Sequence, residues 1–533
     1  MRESSTPGRP HHGWLLLIRP GRTWPEIETA AEGHVTIARQ PDVIAVAAGD
    51  VDATRILEEF RRSNTLSSPP GPGAAAVVDR SGRVLAIRDR TGLHPLFYAR
   101  DGQVWALSTD PRSLTARFGA TPSRVAVAAW LAGAPLFPDE TLLEQVSRVP
   151  AGHLLELTGG RAKLRRSWEP PSVGSFSPRA ADEFGPRLED AVRRWVREDL
   201  AAVLLSGGID SSAVATAVSR TAGPSPLALC VDFEGASEKA VQALVVEGLG
   251  MSHLDARLIA KPSLLRRGLA RISESLWPTP AVWAPVFDSL VETARVAGAT
   301  VILDGQGGDD LLDAGLAGGR ALLGRPWQFL VWARAAARYT SSYRSSVRAG
   351  VASRVHPRRA TAPAWLAPDA ELRARISARF ATVPLEYGPL RRADLVDATL
   401  AAQREETFDW AARRGLRHLH PLWDHRVVEL LDGLPPSALV LGGEPKAPAR
   451  RYLREHLRRP RGTWPRPALA DRTMGALLQT GLTGVWQELK GPKRLVELGV
   501  VRENPSSDEF QLTEVSAILS MESWIDGLGG RCP

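Results

Sequence analysis

Cysteine is nearly absent: Cys230 and Cys532 are the only two in 533 residues. Two thiols exclude a disulfide framework and make a reducing cytoplasm the expected compartment. Long apolar runs are missing too. The longest near the start, Trp14 to Ile18, falls far short of the ~18 residues a spanning helix needs, and it opens no signal peptide. Lysine is scarce, only six of the 67 basic residues. The arginine-heavy balance leaves a net charge of +8, but no compact Lys/Arg block of the kind a nucleic-acid arm shows. Neither nucleic acid nor a membrane is therefore expected as partner. No internal repeat of solenoid period occurs. What is there, 44% apolar and 24% charged residues, is ordinary for a soluble globular protein. At roughly 150 residues per unit, the length predicts two to four domains.

Two stretches rich in Ser, Pro and Gly break the chain, Ser63–Gly73 and Glu169–Arg179, the first a long surface loop and the second a divider between two textures. Ahead of the divider, the runs Ala74–Val78, Val84–Ile87, Leu96–Ala99 and Val104–Leu107 predict strands, with Ser81-Gly82 and Asp101-Gly102 as hairpin turns. Behind it, apolar strands at Ala201–Leu205, Leu227–Val231 and Thr300–Leu303 alternate with helices from about Ser211 and over Glu238–Leu249. That rhythm predicts a parallel sheet with helices on both faces. Beyond about Leu311 the pattern turns helical and rich in Arg and Ala.

The strand Ala201–Leu205 runs directly into Ser206-Gly207-Gly208-Ile209-Asp210-Ser211-Ser212 and then into a helix. Glycines at 207 and 208 let the backbone fold tightly with no Cβ to obstruct an oxyanion. Amides of the first helical turn then face a phosphate, aided by the partial positive charge of the helix end. Ser206, Ser211 and Ser212 add hydroxyl donors, and Asp210 is a hard oxygen ligand suited to Mg²⁺. Taken singly, such residues are ordinary caps and turns; the full string in this context points to ATP. No lysine follows the second glycine, which excludes a Walker A loop.

The string resembles the pyrophosphate loop of the N-type ATP pyrophosphatases, which cleave ATP to AMP and pyrophosphate. Asp304-Gly-Gln-Gly-Gly-Asp309-Asp310 resembles the GEGGDE segment of the asparagine synthetase superfamily, and His420-Pro-Leu-Trp-Asp-His-Arg-Val-Val-Glu429 its PFLDHRVVE segment. The resemblance implies that Asp309 joins Asp210 as a magnesium ligand. It also implies that Leu204 and Val231 lie along the adenosine, that Leu205 belongs to the ATP-binding set, and that Asp304-Gly305 touches the nucleotide through backbone.

Arg88-Asp-Arg-Thr-Gly-Leu-His-Pro-Leu-Phe-Tyr98 resembles the RDRLGIKPLYY hairpin of the glutaminase domain in asparagine synthetases, and Thr141-Leu-Leu-Glu-Gln-Val-Ser-Arg-Val-Pro-Ala-Gly-His153 its TLFEGVRRVPPGH exit. That domain uses a cysteine directly after the initiator methionine as nucleophile. Arg2 stands there instead, and no cysteine precedes Cys230, so glutamine hydrolysis has no nucleophile and the amine comes from elsewhere. The expected architecture is α/β throughout. An antiparallel α+β glutaminase-like (Ntn-type) domain without its Cys spans 1–168. A parallel-sheet α/β ATP-pyrophosphatase synthetase domain with a helical C-terminal region spans 180–533.

Superfamily members without that cysteine include β-lactam synthetases and lasso-peptide macrolactam cyclases. Asparagine synthetases carry Glu, and β-lactam synthetases Tyr, where this chain has Gln306, a side chain that cannot act as a base. The resemblance is therefore strongest to the lasso-peptide cyclases. The expected reaction adenylates an Asp or Glu side chain of a precursor peptide with ATP and Mg²⁺, then joins it to the peptide's N-terminal amine as a macrolactam. Expected partners are the precursor peptide, a leader-binding protein and a leader peptidase. A β-lactam-synthetase-like cyclase or an ammonia-using asparagine synthetase stays open, as does, in another class, an RNA-modifying enzyme with the same ATP loop. Candidate catalytic residues are Asp210, Asp309, Lys446 and Arg466, the last a planar donor where the family places a lysine; Gln306 and Glu238 are candidates on the substrate side. A threaded product needs a large groove, expected from the helical region after Leu311.

Overall fold

The computed structural model describes residues 12–19, 22, 24–30, 35–119, 121–196, 200–221, 226–233, 239–258, 262–281, 283–337, 361–457, 481–482, 484–507 and 510–529. The front half holds two antiparallel sheets. One orders β2 (Glu26–Thr29), β1 (Trp14–Ile18), β8 (Val104–Ser108), β7 (Phe97–Asp101) and β9 (Val146–Arg148). The other orders β11 (Arg161–Arg166), β10 (His153–Thr158), β6 (Val84–Arg88), β5 (Gly73–Asp79), β4 (Val43–Gly49) and β3 (Val35–Gln40). The four expected strands are present, and the turns at Gly82 and Gly102 both take positive φ, which glycine tolerates. The two hairpins belong to different sheets.

Strand β1 shows why its sequence reads as an unbroken apolar run. Trp14 and Leu16 pack into the core between the sheets, whereas Leu15 and Leu17 face the helices Pro111–Phe118 and Arg124–Ala132 outside them. Alternation by two puts successive side chains on opposite faces, and here both faces are buried. On the far side, helix Ala53–Ser63 covers the six-stranded sheet. Asp52 caps it, its Oδ1 accepting from the Thr54 amide at 2.9 Å, an interaction worth about 1 kcal/mol.

Behind the divider, a five-stranded sheet is parallel throughout: β14 (Ser252–Leu258), β13 (Leu227–Phe233), β12 (Ala201–Leu204), β15 (Val301–Leu303) and β16 (Arg417–Leu419). Strand order reverses at β12, because β13 lies on one side and β15 on the other. The loops after β12 and β15 thus leave neighbouring strands at their carboxyl ends, the crevice where open α/β sheets bind ligands. Thr300–Leu303 was expected to close this sheet; β14 and β16 extend it. Helices dominate beyond Leu311, as expected. No helix among the described residues is long and apolar enough to cross a membrane.

Candidate functional site

Register pairs Val203 with Leu303, so Ser206–Ser212 and Asp304–Asp310 start side by side. Two close approaches lock them together. A Cβ on Gly305 would sit 2.6 Å from the Ser211 amide nitrogen, and one on Gly308 would overlap the Asp210 carboxyl group. Gly207 has φ of +86°. The hydroxyls tie the first loop to itself: Ser206 Oγ accepts from the Gly208 amide at 3.2 Å and lies 3.0 Å from Ser211 Oγ.

Asp210 opens helix Ile209–Thr221, and Asp309 the short helix Gly308–Leu312. Lys446 reaches both, its Nζ donating to Asp210 Oδ2 at 2.5 Å and to Asp309 Oδ1 at 2.6 Å. The two carboxylates thus converge on one cation position. Lys446 holds a left-handed backbone (φ 55°, ψ 39°) just ahead of helix Ala447–His456, a strain tolerated where surrounding structure demands it. Burial pushes the Asp210 carboxyl up despite Lys446, whereas burial lowers Lys446 less than the two carboxylates raise it. Asp210 Oδ1 is buried without a hydrogen-bond partner. A buried oxygen lacking a donor, beside a second carboxylate, fits a hard divalent cation such as Mg²⁺.

A cavity of about 580 Å³ opens beside these loops, lined by Leu204, Leu205, Ser206, Gly208, Asp210, Ser211, Val231, Asp304, Gly305 and Gln306. Gly207 and Ser212 are buried behind it, and Ser212 Oγ finds no partner; the hydroxyl donor expected from Ser212 does not face the cavity. Arg466 and Glu238 lie outside the described residues. The Asp304 carboxylate turns away from the nucleotide side to His418 Nε2 at 3.0 Å and His420 Nδ1 at 2.7 Å. Burial would raise its pKa, but the two imidazoles override that and hold it well below the usual range. Burial lowers His420.

The opposite wall was not anticipated. Helix Ala284–Val296 contributes Val286, Phe287 and Leu290, preceded by Trp283, and helix Ala398–Ala412 contributes Gln403, Glu406, Thr407 and Trp410. Of the described helices beyond Leu311, only Ala398–Ala412 lines this cavity. Its cavity-facing spacing is i, i+3, i+4, i+7, one face of a helix. Glu406 is fully buried; its Oε2 accepts from the Trp277 amide at 2.8 Å, and Oε1 has no partner. Burial, then the neighbouring Asp409 charge, push its carboxyl up to about 7. In the sequence it stands in a polar run that reads equally well as a solvated helix face.

A family model described as Asparagine synthase matches residues 183–482. The chain belongs to the asparagine synthase family. A second model, for a glutamine amidotransferase domain, matches residues 53–168. The carboxyethyl-arginine beta-lactam-synthase of Streptomyces clavuligerus is 34% identical over 179 residues, 32% of this chain and 33% of that protein. Asparagine synthetase [glutamine-hydrolyzing] 2 of Oryza sativa subsp. japonica is 25% identical over 247 residues, 43% of this chain and 36% of that protein. The chain thus spans about a third of the length of these relatives. Among solved structures, the allosteric regulatory enzyme of purine biosynthesis aligns at a TM-score of 0.19 with 10% identity, over 48% of this chain and 76% of that one, too slight a likeness to carry weight.

Proposed function

We propose that the chain is an ATP-dependent amide ligase that activates a carboxylate as its acyl-adenylate, and that its substrate is a precursor peptide closed into a lasso-type macrolactam. The observation that carries the first part is the meeting of Asp210 and Asp309 at one cation position, at the switch point of the parallel sheet. These two carboxylates would hold Mg²⁺, which supplies charge neutralisation for the triphosphate when bound. Ser206–Ser211 cradles the phosphates, Leu204 and Val231 line the adenosine, and Lys446 offsets charge near the α-phosphate.

In the first half-reaction a substrate carboxylate oxygen attacks the α-phosphorus and pyrophosphate leaves with the bonding electron pair. In the second, the amine nitrogen attacks the acyl carbon, the bond to AMP breaks, and the nitrogen's proton passes to a base. Gln306 cannot take that proton. Glu406 is the candidate: it lies in the cavity wall with Oε1 buried and free of any partner, and its carboxyl, pushed up to about 7, matches a general base at neutral pH once substrate reaches it. When both reacting groups belong to one peptide, positioning contributes ~7–11 kcal/mol by removing a bimolecular encounter.

The apolar wall of Trp283, Phe287 and Trp410 suits a peptide acceptor better than free ammonia. On this reading residues 1–168 are a glutaminase-like scaffold and 180–533 the ligase. A leader-binding protein and a leader peptidase are the partners, and the buried free thiol of Cys230 accords with a reducing cytoplasm. Peptide-dependent exchange of pyrophosphate into ATP, with a product lighter than the peptide by one water, tests the proposal. Exchange driven by free aspartate would favour an asparagine synthetase, and D210A that still releases AMP at the parent rate would remove the site assignment.

A further inference from the structure

The front half touches the cavity through the helix Ala398–Ala412 that walls it. Arg148 grips Glu405 with two parallel bonds, Nε to Oε1 at 2.6 Å and Nη2 to Oε2 at 2.8 Å. Arg88 Nη1 adds a third contact to Glu405 at 3.1 Å. One turn on, Arg112 Nη2 lies 2.5 Å from Asp409 Oδ1, and His12 Nε2 lies 3.4 Å from the same oxygen. These four cationic or imidazole groups come from the front half and both acidic groups from this one helix; Arg413, at the end of the same helix, also reaches Asp409, Nε to Oδ2 at 3.1 Å. Glu405 and Asp409 are four apart and share a face; Glu406, between them, turns toward the cavity. A bidentate guanidinium fixes orientation as well as distance.

We propose that the front half serves the amide-forming half-reaction as a clamp on this helix, with Arg112 and Arg148 as positioning residues that aim and tune Glu406. The inference rests on the reading of Glu406 as proton acceptor. It gives the thiol-less domain a role in the second chemical step and none in adenylation. The groups facing Glu406 are Asp409 on its own helix, Arg112 on helix Pro111–Phe118, Arg271 on helix Pro262–Ile272, and the Trp277 amide. Asp409 raises the Glu406 carboxyl, and the two arginines lower it.

The test separates the half-reactions in the full-length protein. Pyrophosphate exchange reads adenylation, and macrolactam formation under saturating ATP reads the second step as a function of pH. R112Q is expected to keep exchange within about twofold, to slow product formation about tenfold at neutral pH, and to move the acidic limb of its profile to higher pH. D409N is expected to move that limb to lower pH. R112K, which keeps the charge, is expected to leave the limb near its parent position. A general loosening of the fold would not drive two neighbouring substitutions in opposite directions. Exchange and product formation falling in parallel, or a limb unmoved in both R112Q and D409N, would overturn the clamp. E406Q serves as the separate control: product formed at the parent rate in that variant would reject Glu406 as base, whereas an inactive E406Q beside a normal R112Q would reject the clamp alone.

Discussion

Lys446 is the residue on which the two aspartates meet, and its removal leaves Asp210 buried without a counter-charge. K446M is expected to lose roughly 3 kcal/mol of stability and about a hundredfold in pyrophosphate exchange; chemical denaturation and exchange kinetics check each separately. Glu406 presents the opposite case. Its folded-state pKa of about 7 lies above the ordinary 4.5, so the folded protein binds that proton more tightly than the unfolded chain. Stability contributed there falls as pH rises from about 4.5 to about 7 and is flat above. E406Q removes the titration and should gain up to ~3 kcal/mol at pH 8 while forming no amide. Asp304 runs the other way. With its pKa depressed by His418 and His420, it stabilises the fold above the ordinary aspartate value and loses that contribution as pH falls below about 4. An acid titration of D304N against the parent should show a shallower loss of stability.

At the scale of elements, the loops after β12 and β15 work as one piece. G308A replaces a helical glycine, a change that by propensity alone would gain roughly 1 kcal/mol. The added methyl instead collides with the Asp210 carboxyl group. We expect a folded protein whose exchange activity drops at least tenfold, with circular dichroism and exchange as readouts. The same loops explain what could be read from the sequence. Strands β12, β13 and β15 contain short apolar runs, those of β12 and β15 followed by glycine-bearing loops, and the pattern of their residues suffices to place them. Strands β14 and β16 escape notice because Ser-His-Leu-Asp-Ala-Arg-Leu and Arg-His-Leu carry polar side chains. The two histidines, His418 on β16 and His420 just after it, gain their meaning only from Asp304, more than a hundred residues earlier.

Across the whole molecule, Glu405, Arg148 and Arg88 form a buried ion cluster between the halves. R148M leaves Glu405 with a single guanidinium and should cost about 3–5 kcal/mol, measurable by thermal denaturation. The double variant R148M/E405M should not recover that loss, because it leaves the buried Arg88 guanidinium without its carboxylate. Such long-range pairings were invisible in the sequence, where Arg148 stands in a segment noted only for its resemblance to an exit loop and Glu405 in a polar helix. The Asp210 and Asp309 ends of the site were legible because each sits inside a short glycine-bearing string; the wall made by Trp283, Phe287 and Trp410 was not, because aromatic residues at helical spacing look like ordinary core.

The interlock of Gly305 and Gly308 against Asp210 and Ser211 leaves no slack at the nucleotide end, where even a methyl group has nowhere to go. Descendants of this chain that take new acceptors would therefore diverge along the aromatic bank opposite, leaving the phosphate-facing bank unchanged.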